Sequence, residues 1–179
     1  MKIFLTGKPG VGKTTVLLKI IEALRGKGVT VGGIVTPEIR EHGKRTGFSV
    51  RGFCYGRCDN FVSKEVTFAS IYGYGRRFGK YRIDVEKFDE VAIPALDYAA
   101  KCCDVIAVDE IGRMEMFSDR FRKKLREILE SDKPLVATLH RKLVRELSGH
   151  GSVMEVTQEN REYAHRIIAK RIEDFLKGR

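Results

Sequence analysis

The chain has 179 residues, 42% of them hydrophobic, and 34 Lys and Arg against 24 Asp and Glu leave a formal charge of +10. That length suits one domain with a substantial core. No apolar run approaches the ~18 residues of a membrane helix, and Ile3, Phe4 and Leu5 are too few for a signal-peptide core. A cytoplasmic, monomeric protein with no membrane partner is expected.

The elements follow in order. Met1 to Thr6 is a short apolar strand. The stretch Gly7-Lys8-Pro9-Gly10-Val11-Gly12-Lys13-Thr14-Thr15 follows, and then Val16, Leu17, Ile20, Ile21 and Leu24 recur at helical spacing. Gly26 and Gly28 end that helix. From Val29 to about Tyr72 short β-type runs alternate with turns such as Glu41-His42-Gly43-Lys44, which predicts antiparallel strands. This β-rich insert reaches to about residue 84 of a single domain spanning 1–179. Helical spacing returns with Val85, Phe88, Val91, Ala92, Leu96, Ala99 and Ala100, where Pro94 is expected to kink or divide the helix.

Asp104 to Glu110, DVIAVDE, is a nearly continuous apolar run ending in two carboxylates, the pattern of a strand buried on both faces. A helix over about Ser118 to Glu130 turns Phe121, Leu125, Ile128 and Leu129 inward. Its cluster Arg120-Phe121-Arg122-Lys123-Lys124 reads as a solvated face. Pro134 to His140 is a second buried strand. A short helix near Leu143 to Leu147, a strand near Ser152 to Val156 and a helix from about Glu159 to Leu176 close the chain. The fold class is α/β, a mainly parallel sheet with helices on both faces.

The four cysteines, Cys54, Cys58, Cys102 and Cys103, lack paired C-x-x-C or histidine spacing, so zinc is weakly supported. Cys102 and Cys103 read as buried thiols, and no disulfide is expected in a reducing cytoplasm, hyperthermophiles being the known exception.

Three motifs carry chemistry. Gly7 to Thr14 matches G-x-x-x-x-G-K-[ST] in full, between a buried strand and a helix. Glycines let backbone N–H groups approach phosphate, and the helix N-terminus adds its positive end. Lys13 reaches the β- and γ-phosphates, Thr14 and Asp109 ligate Mg2+, and Thr15 reaches the α-phosphate side. Lys8 occupies a variable position. Glu110 is placed to take a proton from an attacking water, with capping or pairing to Arg113 as its other reading. Thr138 closes a buried strand, where it senses the γ-phosphate or simply bonds backbone. Positive charge on the transferring group comes from Arg113, Arg40, Arg45 or Arg161, with Arg113 preferred. His42, His140, His150 and His165 read as structural or surface. No N/T-K-x-D base-reading motif is present, which argues for loose base selectivity.

Beyond the phosphate loop, VGGIVTPEIREHGKRTGFSV, FGKYRIDVEKF, VIAVDEIGRMEMFS and EVTQENR occur in order. With GKPGVGKTT they resemble the thermophilic nucleoside triphosphatases related to the eukaryotic cancer-related nucleoside triphosphatase, over nearly the whole chain. The resemblance implies a P-loop NTPase three-layer fold and Mg-dependent hydrolysis of ATP, GTP, CTP and other triphosphates to diphosphate and phosphate. It implies nucleotide binding by Gly7, Lys8, Pro9, Gly10, Val11, Gly12, Lys13 and Thr14, and by Val105, Ile106, Ala107, Val108, Asp109, Glu110, Ile111 and Gly112. Many relatives carry Lys where this chain has Arg113. Two other readings stay open: a kinase passing the γ-phosphate to a small molecule, nucleotide or nucleic-acid end, with Arg40, Lys44, Arg45 and Arg51 as an acceptor site, and an ATP-driven nucleic-acid-binding module. The second is disfavoured because no helix-turn-helix, RNA-recognition or stacking motif accompanies the charge.

Overall fold

A computed structural model describes every residue except Arg57, Asp59 and Arg179. Among the described residues, ten strands form one sheet. They are β1 Lys2–Thr6, β2 Val31–Val35, β3 Glu38–Glu41, β4 Lys44–Tyr55, β5 Glu65–Ser70, β6 Arg76–Phe78, β7 Tyr81–Ile83, β8 Val105–Ile111, β9 Leu135–Leu139 and β10 Ser152–Glu155. The main helices are α1 Lys13–Arg25, α2 Val85–Cys102, α3 Asp119–Glu130, α4 Val144–Leu147 and α5 Ala164–Lys177.

The strand order is β10-β1-β9-β8-β2-β4-β5-β7-β6, with β3 paired to β4. Strands β10, β1, β9, β8 and β2 run parallel, and everything beyond β2 is antiparallel. The β-rich stretch therefore shares its first strand with the parallel core: β2 pairs parallel to β8 on one edge and antiparallel to β4 on the other.

Side chains alternate across each core strand, as the two-residue strand period requires. Ile3, Leu5, Val105, Ala107 and Val136 face α1 and α5, against Leu17, Ile20 and Ile168. Phe4, Ile106, Val108, Leu135 and Ala137 face α2 and α3, against Leu96, Phe121 and Leu125. This double coverage is why β8 reads as an unbroken apolar run. No helix is long and apolar enough to cross a membrane among the described residues.

Three local expectations change. Helix α2 runs through Pro94 undivided, capped by Asp84, whose Oδ1 accepts from the Lys87 N–H at 3.0 Å. Helix α5 begins at Ala164, not near Glu159, because Thr157 and Asn160 bond each other's backbone N–H through their side chains and hold a turn there. The cysteines are not all reduced. Cys54 and Cys58 form a disulfide at the end of β4, with Cα atoms 6.1 Å apart, a separation such a bridge accepts. Of the other two, Cys103 is buried as expected, but Cys102 points out of the end of α2 and is exposed.

Candidate active site

The phosphate loop joins β1 to α1 at the carboxyl end of the parallel strands, where open α/β sheets bind ligands. Gly12 is the residue before α1 and has φ 106°, a conformation a side chain would disfavour. Helix α1 has no side-chain cap and no acidic residue in its first turn. Its leading N–H groups are thus left for an anion, with the helix dipole behind them. Lys8, Pro9 and Gly10 are exposed, and Thr14 and Thr15 lie on the open side of the helix. The Lys13 ammonium folds back over the loop, 3.4 Å from the carbonyl oxygens of both Gly7 and Lys8.

Strand β8 delivers the carboxylates. Val105, Ile106, Ala107 and Val108 are wholly buried. They hold the strand, and they leave Asp109 and Glu110 as the β8 side chains that approach the loop. Asp109 Oδ1 accepts hydrogen bonds from Thr14 at 3.2 Å and Thr138 at 2.5 Å. Burial raises the Asp109 carboxyl above its ordinary range, opposed by those two hydroxyls and by the Lys13 charge. Glu110 is half-buried. Burial raises its carboxyl too, Lys13 pulls it down, and the Asp109 charge pushes it up.

Thr36, just past β2, locks this corner. Its hydroxyl donates to the Asp109 carbonyl at 2.8 Å and accepts from the Glu110 N–H at 3.2 Å. Nothing in its local sequence marks it apart from being a hydroxyl at a strand end.

The motif continues into a tight turn. Ile111 is buried in β8, and Gly112 leaves space that a side chain would fill: a Cβ there would meet Glu115 Oε2 at 2.6 Å and Glu110 Cγ at 3.6 Å. The Glu115 carboxyl accepts from the backbone N–H groups of Gly112 and Glu115 itself, and burial pushes it up to about 8. This buried acid beside Glu110 had no signal in the sequence beyond being one carboxylate in a charged chain.

The cations sort by place. Arg40 and Arg45 both pair with Glu38 at 2.6 Å on the β3–β4 hairpin, which accounts for their charges. Arg161 lies over the loop, its Cδ 3.9 Å from where a Gly12 Cβ would stand. Arg113 is exposed and stacks on Phe78 of β6, its guanidinium carbon 5.0 Å from the ring centre. Phe78 in turn packs edge-on against Phe117. His140, read as structural or surface from sequence, directly follows β9 within the same field. Its imidazole pKa is lowered by burial and then by the charges of Arg113, Lys142 and Lys13. A polar residue closing the strand between β1 and β8 was the available signal for it.

The oxygen donors at Thr14 and Asp109 are hard ligands of the kind magnesium takes. A carboxylate buried at 6% exposure, held by two hydroxyls with the Glu110 carboxylate next to it in the chain, suits a divalent cation.

Comparison with known proteins now decides the family. The family model described as NTPase matches residues 2–169. The chain belongs to this NTPase family. It is 42% identical over 178 residues to the nucleoside-triphosphatase THEP1 of Methanocaldococcus jannaschii, covering 99% of this chain and 100% of that one. It is likewise 42% identical to the THEP1 of Pyrococcus abyssi, covering 98% and 94%. The crystal structure of THEP1 from Aquifex aeolicus superimposes with TM-score 0.80 at 34% identity, over 97% of this chain and 99% of that one. The solution structure of a human cancer-related nucleoside triphosphatase does so with TM-score 0.74 at 31% identity, over 97% of each. The three-layer arrangement read from the motifs is thus the fold of this NTPase.

Proposed function

We propose that this NTPase hydrolyses ATP, GTP, CTP and other nucleoside triphosphates to diphosphate and phosphate, in a magnesium-dependent reaction with loose base selectivity. It is read as one catalytic domain over 1–179, acting as a cytoplasmic monomer. The observation that carries the reading is the joining of Thr14 to Asp109 at 3.2 Å, with Glu110 next in the chain. That contact sets a water-activating carboxylate beside a phosphate cradle.

The loop N–H groups and Lys13 hold the β- and γ-phosphates, releasing Lys13 from its weak carbonyl contacts. Thr14 and Asp109 would hold Mg2+, which when bound neutralises charge on the phosphate oxygens. Glu110 orients a water in line with the γ-phosphorus and accepts its proton as the new P–O bond forms. The bond from the γ-phosphorus to the bridging oxygen breaks, and the electron pair leaves on the β-phosphate. Lys13 and the N-terminus of α1 stabilise that charge. Burial raises the Glu110 carboxyl, which makes it a stronger base than a free carboxylate, and the Lys13 charge opposes that rise. Arg113 and Arg161 flank the site as sources of positive charge for the transition state. Thr138 holds Asp109 in place.

Phosphate release from a panel of triphosphates, with and without magnesium, tests this on wild type, Lys13→Ala and Glu110→Gln. Release from several bases, magnesium dependence, and loss of turnover with retained nucleotide binding in Glu110→Gln are expected. Release untouched by Glu110→Gln would remove water as the intended nucleophile and point to a phosphoryl acceptor.

A further inference from the structure

At the opposite end of the sheet, three sulfur atoms meet. Cys54 is next to last in β4 and pairs with Gly32 of β2. Cys58 lies three residues past the end of β4, and Cys103 follows the last turn of α2. The Sγ atoms of Cys54, Cys58 and Cys103 all lie within 4.8 Å of one another, with Cys54 Sγ and Cys103 Sγ at 3.5 Å. Two thiolates bound tetrahedrally to one zinc at ~2.3 Å stand ~3.8 Å apart, close to the 3.5 Å between Cys54 Sγ and Cys103 Sγ.

The surroundings are built for this approach. A Cβ on Gly32 would fall 2.6 Å from Cys103 Sγ and 3.2 Å from the Ala99 Cβ, so the glycine leaves the room the sulfur occupies. Burial raises the Cys103 thiol to about 11, opposed by the charge of Lys133, which donates to the Cys103 carbonyl at 2.7 Å. The cluster is remote from catalysis. Asp109 lies six residues beyond Cys103, about 20 Å along an extended chain. No catalytic role proposed above uses any of the three sulfurs.

We propose that Cys54, Cys58 and Cys103 form a trithiolate site for a thiophilic divalent cation of the zinc class, available when the Cys54–Cys58 disulfide is reduced. A dithiol reductant supplies two electrons and two protons. The sulfur–sulfur bond breaks, Cys54 and Cys58 become thiols, and the reductant closes to its own cyclic disulfide. The cation then displaces the three thiol protons to solvent and takes three sulfur ligands, leaving a fourth position for water. Soft sulfur donors select zinc over magnesium, so the two sites do not compete for one ion. Dioxygen takes two electrons from the Cys54 and Cys58 thiolates and, with two solvent protons, leaves as hydrogen peroxide; the disulfide that forms removes two of the three ligands and releases the metal. The end of β4, the residue Cys58 just past it and the end of α2 are thereby tied through one ion.

The test is anaerobic titration of the dithiol-reduced, desalted chain with Co2+, followed by Zn2+. One cobalt per chain should bind with an intense thiolate-to-cobalt charge-transfer absorption that zinc then abolishes. Cobalt at Thr14 and Asp109 would have oxygen ligands and no such band. The air-oxidised chain should show none. Cys58→Ser and Cys103→Ser should each lose at least ~10-fold in cobalt affinity, the lower end for removing even an outer partner of a metal ligand, while Cys102→Ser should bind as wild type does. A reduced wild type without the band, a band equally strong in the oxidised chain, or one unmoved by Cys103→Ser would overturn the proposal. Because Cys103 is buried, thiol alkylation of the wild-type chain gives a measurement independent of that variant. Zinc should shield three of the four cysteines, and reaction of all four in its presence would equally refute the site.

Discussion

Thr138 donates a hydrogen bond to Asp109 Oδ1 at 2.5 Å, the same oxygen atom that Thr14 reaches at 3.2 Å. The hydroxyl is 1% exposed and lies on β9, the strand between the phosphate loop and the carboxylates. It therefore tensions two adjacent strands against one buried charge. A hydrogen bond to a charged group contributes about 1.5–3 kcal/mol, a factor of roughly 10–100. Thr138→Val should lower turnover by that factor and raise the magnesium concentration needed for half-maximal rate. Thr138→Ser should restore most of both. Phosphate release across a magnesium series measures it, and equal behaviour of Val and Ser would remove the hydroxyl from the site's support.

Glu115 makes a pH prediction with a definite sign. Its carboxyl titrates near 4.5 when unfolded and is raised to about 8 in the folded chain. Between those values the unfolded chain has released a proton that the folded chain keeps, so stability falls as pH rises through that window. Below 4.5 and above about 8 this contribution is flat. Glu115→Gln keeps the shape without the proton, so its stability relative to wild type should grow from the acid to the alkaline end. Urea unfolding across the window reads this directly. A parallel pH course for both chains would show Glu115 to be ionised when folded.

Arg113 owes its direction to Phe78, a residue from β6 in the β-rich stretch. An exposed cation–π contact contributes about 0.5–1 kcal/mol, so Phe78→Ala should reduce turnover by about 2- to 5-fold. Arg113→Ala should cost more, and the double variant should match Arg113→Ala alone. Additive losses would mean that the aromatic ring acts elsewhere.

Gly33 sits where β2 meets β8, with φ 151°, and a Cβ there would fall 1.8 Å from the Ala107 carbonyl oxygen. Backbone cannot yield as a side chain does, so Gly33→Ala should destabilise by more than about 4 kcal/mol or abolish folding. Gly43→Ala, in the β3–β4 turn at φ 78° with open space around it, should cost only about 1 kcal/mol. Thermal melts of the two variants test the contrast, and similar melting points would mean that the β2–β8 pairing tolerates a shift.

The sequence by itself determined the alternation of strand and helix, the phosphate loop and the identity of the acidic strand end. Each is a contiguous string whose physics is local: apolar period, glycine conformation, a carboxylate closing a buried run. The solvated Arg120–Lys124 face was legible for the same reason, since only Phe121 of that run turns fully inward. What tertiary structure alone decided is which strings meet. Thr36 and His140 are ordinary strand-end residues until β2 and β9 flank β8. Glu115 is one carboxylate among many until Gly112 folds it under Glu110. Strand β2 looked like the start of an antiparallel insert because parallel and antiparallel partners impose the same two-residue side-chain period. The Cys54–Cys58 bridge spans only four residues and ran against the expectation of reduced thiols, whereas the approach of Cys103 to it depends on how the end of α2 packs over β2 and β4, a long-range contact no local pattern encodes.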